Sequence, residues 1–158
     1  MAQKAIEARP NDYRYRGTLA EIYASLSDDK AQVAYDEAIR LAQSQLAIHP
    51  ENGEVWSDLA VYQAKKKTKN KEDALASIEK ALKFAPNQWD VTQNALIVYE
   101  TTGNRPQALG VLKDAVKRHQ DVGMIRNNPA LAEFCKDPSC QRLLESQPGD
   151  EKSAKARG

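Results

Sequence analysis

The feature that most constrains the fold is a short pattern that occurs three times along the chain. "KAIEARPNDY" begins at Lys4, "QLAIHPENGEVW" at Gln45 and "KALKFAPNQWD" at Lys80. Each stretch places apolar residues before a proline and polar residues after it. Self-similarity of this kind predicts a tandem array of structural units that bury their apolar faces by stacking.

The spacing of the prolines defines the period. Pro10 and Pro50 are 40 residues apart, Pro50 and Pro86 are 36 apart, and 34 further residues lead to Gln120, where the proline is absent. Within each interval apolar residues recur at helical spacing, and turn residues divide the interval into two helices. Each unit is therefore predicted to be a helix pair.

The interval after Pro86 shows this plan most clearly. Its first helix should bury Ala95, Leu96 and Tyr99, and its second helix Ala108, Leu109, Leu112, Ala115 and Val116. Between the helices, Gly103 suits the left-handed residue that ends a helix, and Pro106 suits a first helical turn. The earlier intervals repeat the plan with Leu19, Ala20, Tyr23, Ala38, Ile39 and Ala42, then Trp56, Leu59, Ala60, Tyr62, Ala74, Ile78 and Ala81.

These residues resemble the tetratricopeptide repeat family, whose pattern runs W-x2-L-G-x2-Y, then A-x3-F, then A and P. The second unit matches it with Trp56, Leu59, Ala60 in the glycine position, Ala74, Ile78, Ala81 and Pro86. The resemblance implies an all-α fold, a right-handed α-solenoid of antiparallel helix pairs, with three repeats and a C-terminal helical cap. It also implies that Trp56 is a buried core residue.

The predicted organisation follows from these matches. It comprises the end of a truncated preceding repeat (1–10), a lengthened first repeat (11–50), a second repeat (51–86), a third repeat (87–120), a helical cap (121–146) and a disordered tail (147–158). The extra residues of the first repeat should lengthen its second helix at the start, with Asp28 as the cap. The half-repeat at the start suggests a C-terminal fragment of a larger bacterial multidomain protein.

Composition excludes several classes of function. The chain has 23 basic and 22 acidic residues and a net charge of +1, far from the basic balance of most nucleic-acid binders. It has no apolar run long enough to span a membrane. We therefore expect neither nucleic acid nor membrane as a partner, and a cytoplasmic location. Lys65, Lys66, Lys67, Lys69 and Lys71 form the densest charge cluster, interpreted as a solvated turn rather than a phosphate contact.

The sequence contains no recognisable catalytic or metal-binding pattern. His49 and His119 occupy equivalent repeat positions, next to the closing proline or its substitute, so the repeat explains them without catalysis. Cys135 and Cys140 lack zinc-ligand spacing and are interpreted as small buried groups. We expect no enzyme activity, no catalytic residue, no metal and no cofactor.

The resemblance implies a binding groove formed by the first helix of each repeat. The groove positions of the family fall on Arg14, Thr18, Glu21, Glu54, Ser57, Asp58, Val61, Lys65, Asp90, Gln93, Asn94, Ile97 and Glu100. Acidic residues outnumber basic ones in this set, which favours a protein or peptide partner with basic and apolar residues. The lysine, asparagine and arginine clamp that some members use for a terminal carboxylate is largely missing.

Two functions follow from the repeat hypothesis. The first is a protein–protein interaction module that binds a peptide or protein segment in its concave groove. The alternative is a structural or self-association domain of a multidomain, signalling-type protein, which associates through the truncated N-terminal repeat.

Overall fold

The computed structural model describes residues 12–67 and 71–146. The predicted half-repeat at residues 1–10 and the predicted tail at 147–158 lie outside the described residues, as does Lys69 of the lysine cluster. All regular structure within the described ranges is helical, so the predicted all-α fold is confirmed.

The chain divides into two compact units, residues Met1–Pro86 and Asn87–Gly158. Unit 1 contains α1 (Tyr13–Ser25), α2 (Lys30–Ile48), α3 (Gly53–Lys65) and α4 (Lys71–Phe84). Unit 2 contains α5 (Trp89–Thr102), α6 (Arg105–Lys117), 3-10 helices at Val122–Asn127 and Pro129–Leu131, α7 (Ala132–Cys135) and α8 (Pro138–Glu145). The helices of each unit pack on their neighbours along the chain as antiparallel pairs. The right-handed sense of the solenoid stays a prediction.

Alanines lie where the helices of unit 1 approach one another. Ala20, Ala38, Ala42, Ala60, Ala74 and Ala81 have no exposed surface. Small side chains let two helix backbones come close, and larger residues such as Tyr35, Leu59 and Ile78 fill the space between the crossings. The alanine positions recognised in the sequence are therefore core positions.

Short polar side chains fix where the helices of unit 1 begin. The Asp12 carboxylate accepts a hydrogen bond from the N–H of Arg14 at 3.0 Å, and the Asn52 side chain accepts one from Val55 at 3.2 Å. Before α2 the N-cap position is Asp29, which makes no side-chain cap bond, and the predicted cap Asp28 lies one residue earlier, where its carboxylate accepts from the N–H of Lys30 at 2.9 Å. Each bond satisfies a backbone donor that the first helical turn leaves without a partner.

Unit 2 confirms the predicted turn between its first two helices. Gly103 ends α5 in the left-handed region at φ 81°, and Pro106 lies in the first turn of α6. Gln120 stands where the closing proline is absent. It connects the chain after α6 to the start of α5. Its side-chain oxygen accepts from Thr92 Oγ1 at 2.9 Å, and its side-chain nitrogen donates to Asn87 O at 3.0 Å.

The segment after α6 contributes buried apolar side chains to unit 2. Val122, Ile125, Leu131 and Phe134 have no exposed surface. Cys140 is buried as expected, whereas Cys135 is only half-buried, and both thiols are free. Burial raises the pKa of the Cys140 thiol to about 12, so this sulfur is a poor nucleophile at neutral pH.

Trp56 departs from the expectation of a buried core residue. It packs against the core of unit 1 but is only half-buried. Its indole N–H donates to Pro50 O at 2.7 Å, and the Lys80 ammonium lies 4.1 Å from the ring centroid. The side chains of α2 that face it, including Ala47 and Gln43, leave part of the ring open to a cavity of about 440 Å³.

Candidate partner-binding face

In unit 1 the structure brings together the predicted site residues of α1 and α3, although they are far apart in sequence. Arg14 Nη2 lies 3.1 Å from Glu54 Oε2, and Arg14 Nε lies 3.4 Å from Asp58 Oδ2. At the other end of the helices, Lys65 Nζ lies 2.5 Å from Glu21 Oε1. The two helices therefore present one continuous charged surface, which we call the α1–α3 face: Arg14, Thr18, Glu21, Glu54, Asp58 and Lys65.

A tyrosine cluster lies beneath this face. Tyr62 of α3 packs edge to face with Tyr13 at a centroid distance of 6.4 Å and lies 6.3 Å from Tyr35 of α2. Gly17 of α1 makes room for the Tyr62 ring, because a Cβ at this glycine would lie only 2.3 Å from the phenol. The face therefore rests on a packed layer rather than on mobile side chains.

Asp58 couples the face to this tyrosine layer. Its carboxylate accepts a hydrogen bond from the Tyr13 hydroxyl at 3.0 Å, and its side chain is 25% exposed. Burial and the Asp58 charge raise the pKa of Tyr13 well above its ordinary value, so this phenol stays protonated and donates. Asp58 is consequently a structural acceptor as well as a surface charge.

The remaining predicted residues of unit 1 differ in how much surface they offer. Thr18 is exposed, and its hydroxyl donates to Arg14 O at 2.9 Å. Ser57 and Val61 are 1% and 6% exposed. The Ser57 hydroxyl already donates to Glu54 O at 2.9 Å. These two side chains support the face from inside and present little area to a partner.

The predicted residues of α5 belong to unit 2. Asp90 is exposed, Gln93 and Asn94 are half-buried, and Ile97 is 8% exposed. Glu100 receives two hydrogen bonds from the Arg105 guanidinium, at 3.0 Å and 2.5 Å. That carboxylate is therefore used within unit 2 to join α5 to the start of α6.

A cavity of about 470 Å³ opens beside the Glu21–Lys65 pair. Its wall includes Ala31, Gln32 and Tyr35 of α2 and the turn residues Ser27 and Asp28. The first turns of the lengthened α2 supply three of the nine residues that line it. The sequence predicted the longer helix but not the cavity, because the cavity depends on how α2 packs against the ends of α1 and α3.

Lys66 and Lys67, which directly follow α3, contact the start of α2 and the residue before it. Lys66 forms an ion pair with Asp36, and Lys67 Nζ lies 3.5 Å from Asp29 Oδ1. The backbone N–H of Lys67 donates to the Gln32 side chain at 2.8 Å. These lysines are therefore in part held by α2 rather than simply solvated.

The ion pairs change the electrostatic description of the face. Three carboxylates, on Glu21, Glu54 and Asp58, lie against two cations, on Arg14 and Lys65. Most of the predicted negative charge in unit 1 is therefore balanced locally, and a net excess of one carboxylate remains. A charged partner must compete with these pairs rather than meet free carboxylates.

Within residues 12–67 and 71–146, no cluster of three or more histidine, cysteine or acidic side chains is arranged to hold a metal ion. None of the helices in that part of the chain combines the length and apolar character needed to cross a membrane.

Comparison with models of known protein families and with curated protein sequences found no match.

Proposed function

We propose that this protein is an interaction module of the tetratricopeptide repeat type, in which the α1–α3 face of unit 1 binds an extended or helical segment of another protein. The repeat pattern of the sequence and the antiparallel helix pairs support this proposal. The observation that carries it is the cavity of about 470 Å³ beside the Glu21–Lys65 pair. Its wall combines apolar side chains, on Ala24, Ala31 and Tyr35, with polar and charged ones, so it can contact both an apolar and a charged side chain of a partner segment.

The segment that fits best carries a basic residue next to an apolar one. A lysine or arginine of the partner would exchange for Lys65 at the Glu21 carboxylate, and the neighbouring apolar side chain would enter the cavity against Ala31 and Tyr35. The excess carboxylate of the face favours this exchange and disfavours an acidic segment. Such contacts act between exposed charges and should weaken as salt concentration rises.

A peptide array tests the proposal. Basic and apolar peptides should bind the full chain better than the same peptides with glutamate in place of each basic residue, as measured by fluorescence anisotropy. The E21K/E54K variant should lose at least tenfold in affinity for the basic peptides. The E72K/E79K variant is the matched control, because both glutamates lie exposed on α4, away from the face, and the change in net charge is the same.

The proposal fails if E21K/E54K binds the basic peptides as tightly as the unchanged protein while circular dichroism shows both folded. Reversal of Asp58 is a poorer test, because it would break the hydrogen bond from Tyr13 and so confuse loss of binding with loss of structure.

Self-association is a second candidate function because of exposed apolar residues near the turn between α1 and α2. Leu26 and Val33 are 71% and 69% exposed. Sedimentation equilibrium distinguishes the two functions. A dimer that dissociates in the L26E/V33E variant supports self-association. If the unchanged protein is a monomer at all concentrations, self-association is excluded as its function.

A further inference from the structure

Unit 2 contains a second candidate binding surface, which is separate from the α1–α3 face. An open groove of about 370 Å³ runs between α6 and α8, with Leu109 and Leu143 along its floor. Both leucines are half-buried. We call this surface the α6–α8 groove: Leu109, Gly110, Lys113, Ser139, Arg142 and Leu143. Its volume lies in the range of recognition sites in proteins.

The charges beside the groove are of one sign. Lys113 and Arg142 line it, and neither has a carboxylate within ion-pair distance among the described residues. The Arg142 guanidinium donates to the Ser139 hydroxyl at 3.1 Å. The cations elsewhere on α6 differ, since Lys117 pairs with Asp114 and Arg105 with Glu100. Within the part of the chain that the structure describes, the groove thus combines two leucine side chains with two cations that lack ion-pair partners.

Gly110 also lines the groove. It lies in the middle of α6, where glycine is less favourable than alanine because it loses more backbone freedom on folding. Among the described residues, a Cβ at this position would meet no atom within 4 Å outside its own stretch of helix. Packing against that part of the chain therefore does not require the glycine. A bare Cα beside an open groove allows the backbone of another molecule to approach closely.

We propose that the α6–α8 groove docks an amphipathic helix of a partner protein that has leucine-like residues on one face and acidic residues beside them. The apolar side chains lie on Leu109 and Leu143, the carboxylates pair with Lys113 and Arg142, and the helix backbone passes over Gly110. This is the helix-in-groove mode of recognition. The groove is distinct from the α1–α3 face, so the two proposals stand or fall separately.

The two cations of the groove also favour an acidic helix, rather than a second copy of the chain, as the bound partner. Two copies docked through the same groove about a twofold axis would bring Lys113 and Arg142 of one copy towards the same cations of the other. Like charges in contact oppose association. An acidic helix instead supplies the missing ion-pair partners.

The probe is a fluorescein-labelled amphipathic peptide with leucines at alternating spacings of three and four and glutamates on either side of them. One comparison peptide has lysine in place of each glutamate, and another has the same composition with scrambled leucines. Anisotropy with the full chain should give at least tenfold tighter binding of the glutamate peptide than of either comparison peptide. Amide shifts of Leu109, Gly110 and Leu143 in NMR spectra should follow the titration.

Two variants test the mechanism. K113E/R142E should lose at least tenfold in affinity, whereas K83E/K117E, which changes net charge equally at exposed lysines outside the groove, should bind within twofold of the unchanged protein. G110A should bind several-fold more weakly while folding at least as stably, and Q107A on the same helix serves as its control.

Equal affinity for the glutamate and lysine peptides, or unchanged affinity of K113E/R142E, overturns the proposal. A monomer–dimer equilibrium that G110A abolishes would also overturn it, because the occupant would then be a second copy.

Discussion

Two helix-interior glycines have opposite surroundings and allow a matched pair of substitutions. At Gly17 a new Cβ would lie 2.3 Å from the Tyr62 ring, which is held between Tyr13 and Tyr35, whereas at Gly110 it would meet no other described residue within 4 Å beyond its own stretch of helix. We expect G17A to lower the free energy of unfolding by about 1–2 kcal/mol, since overpacking outweighs the gain in helix propensity.

For G110A we expect the free energy of unfolding to rise by about 0.5–1 kcal/mol, because only the helix propensity changes. Urea denaturation of both variants checks the pair. A stabilised G17A would mean that the Tyr62 ring can move aside, and the tyrosine layer would not be rigid.

The tyrosine layer should make unit 1 sensitive to alkaline pH. Burial, with a smaller contribution from Glu21, raises the pKa of Tyr35 from 10.0 to about 12. Burial also raises the pKa of Tyr62. The folded state therefore holds these protons more tightly than the unfolded state, so the stability they contribute is fully present below pH 10 and is lost as pH rises through the folded pKa.

We expect the free energy of unfolding to fall between pH 10 and 12, by up to about 1.4 kcal/mol per pH unit for each tyrosine. Y35F keeps the ring and removes the ionisable hydroxyl. The free energy of unfolding of this variant should therefore fall less steeply with pH, by the contribution of one tyrosine. Urea midpoints across this range provide the measurement. The same slope in Y35F and in the unchanged protein would exclude Tyr35 as a source.

Trp56 should contribute less to stability than a fully buried tryptophan does. Its ring is half-buried, and one face carries the Lys80 ammonium. We expect W56A to lower the free energy of unfolding by about 2–3 kcal/mol, below the ~3–5 kcal/mol typical of core tryptophans. W56F should cost about 1 kcal/mol, largely through loss of the hydrogen bond to Pro50 O. Thermal melts check both, and a larger loss in W56F than in W56A would contradict this account.

At the scale of elements, the start of α2 organises its surroundings. Just before the helix, the Asp28 carboxylate accepts a hydrogen bond from the N–H of Lys30, and Gln32 accepts one from the N–H of Lys67, which follows α3. Asp36, further along α2, pairs with Lys66. The lengthening of this helix therefore has two structural consequences: it supplies part of the cavity wall and holds Lys66 and Lys67.

Removal of the Gln32 side chain should free Lys67 without unfolding the protein. We expect the Lys67 amide of Q32A to exchange with solvent about tenfold faster, with a change in melting temperature of no more than about 2 °C, because the bond is local and exposed. S44A is the control, since Ser44 lies on the same helix but bonds only within it. Unaltered exchange at Lys67 would show that the lysine ion pairs alone hold this segment.

At the scale of the whole molecule, most packing joins helices that are neighbours along the chain. In unit 1, α2 packs on α1 and α3, and α4 packs on α3, while in unit 2 α6 packs on α5 and α8. Contacts between near neighbours in sequence close short loops, and such folds form quickly. We expect the main refolding phase after dilution from urea to finish within about 10 ms.

Stopped-flow fluorescence of Trp56 and Trp89 measures this rate. A slower phase that prolyl isomerase accelerates would belong to the seven prolines of the unfolded chain. A main phase of seconds that the isomerase leaves unchanged would contradict the expectation from local contacts.

Local features could be predicted from the sequence because they depend on residues close together in the chain. Apolar spacing and alanine positions predicted the helices and much of their buried faces. Asp28, Gly103 and Pro106 marked helix ends and starts through backbone chemistry that involves only a few adjacent residues. The positions of Arg14, Glu21, Glu54 and Lys65 on a common face of unit 1 also followed the repeat pattern.

Only the tertiary structure decided which charges remain available to a partner. The Arg14–Glu54 and Glu21–Lys65 pairs join residues that are 40 and 44 positions apart, and their formation depends on the relative placement of α1 and α3. Spacing along the chain counts charges but does not say which of them lie within a few ångströms. The exposure of Trp56, the cavity beside Glu21 and the groove at Gly110 have the same origin, because each depends on where a neighbouring helix ends or leaves a gap.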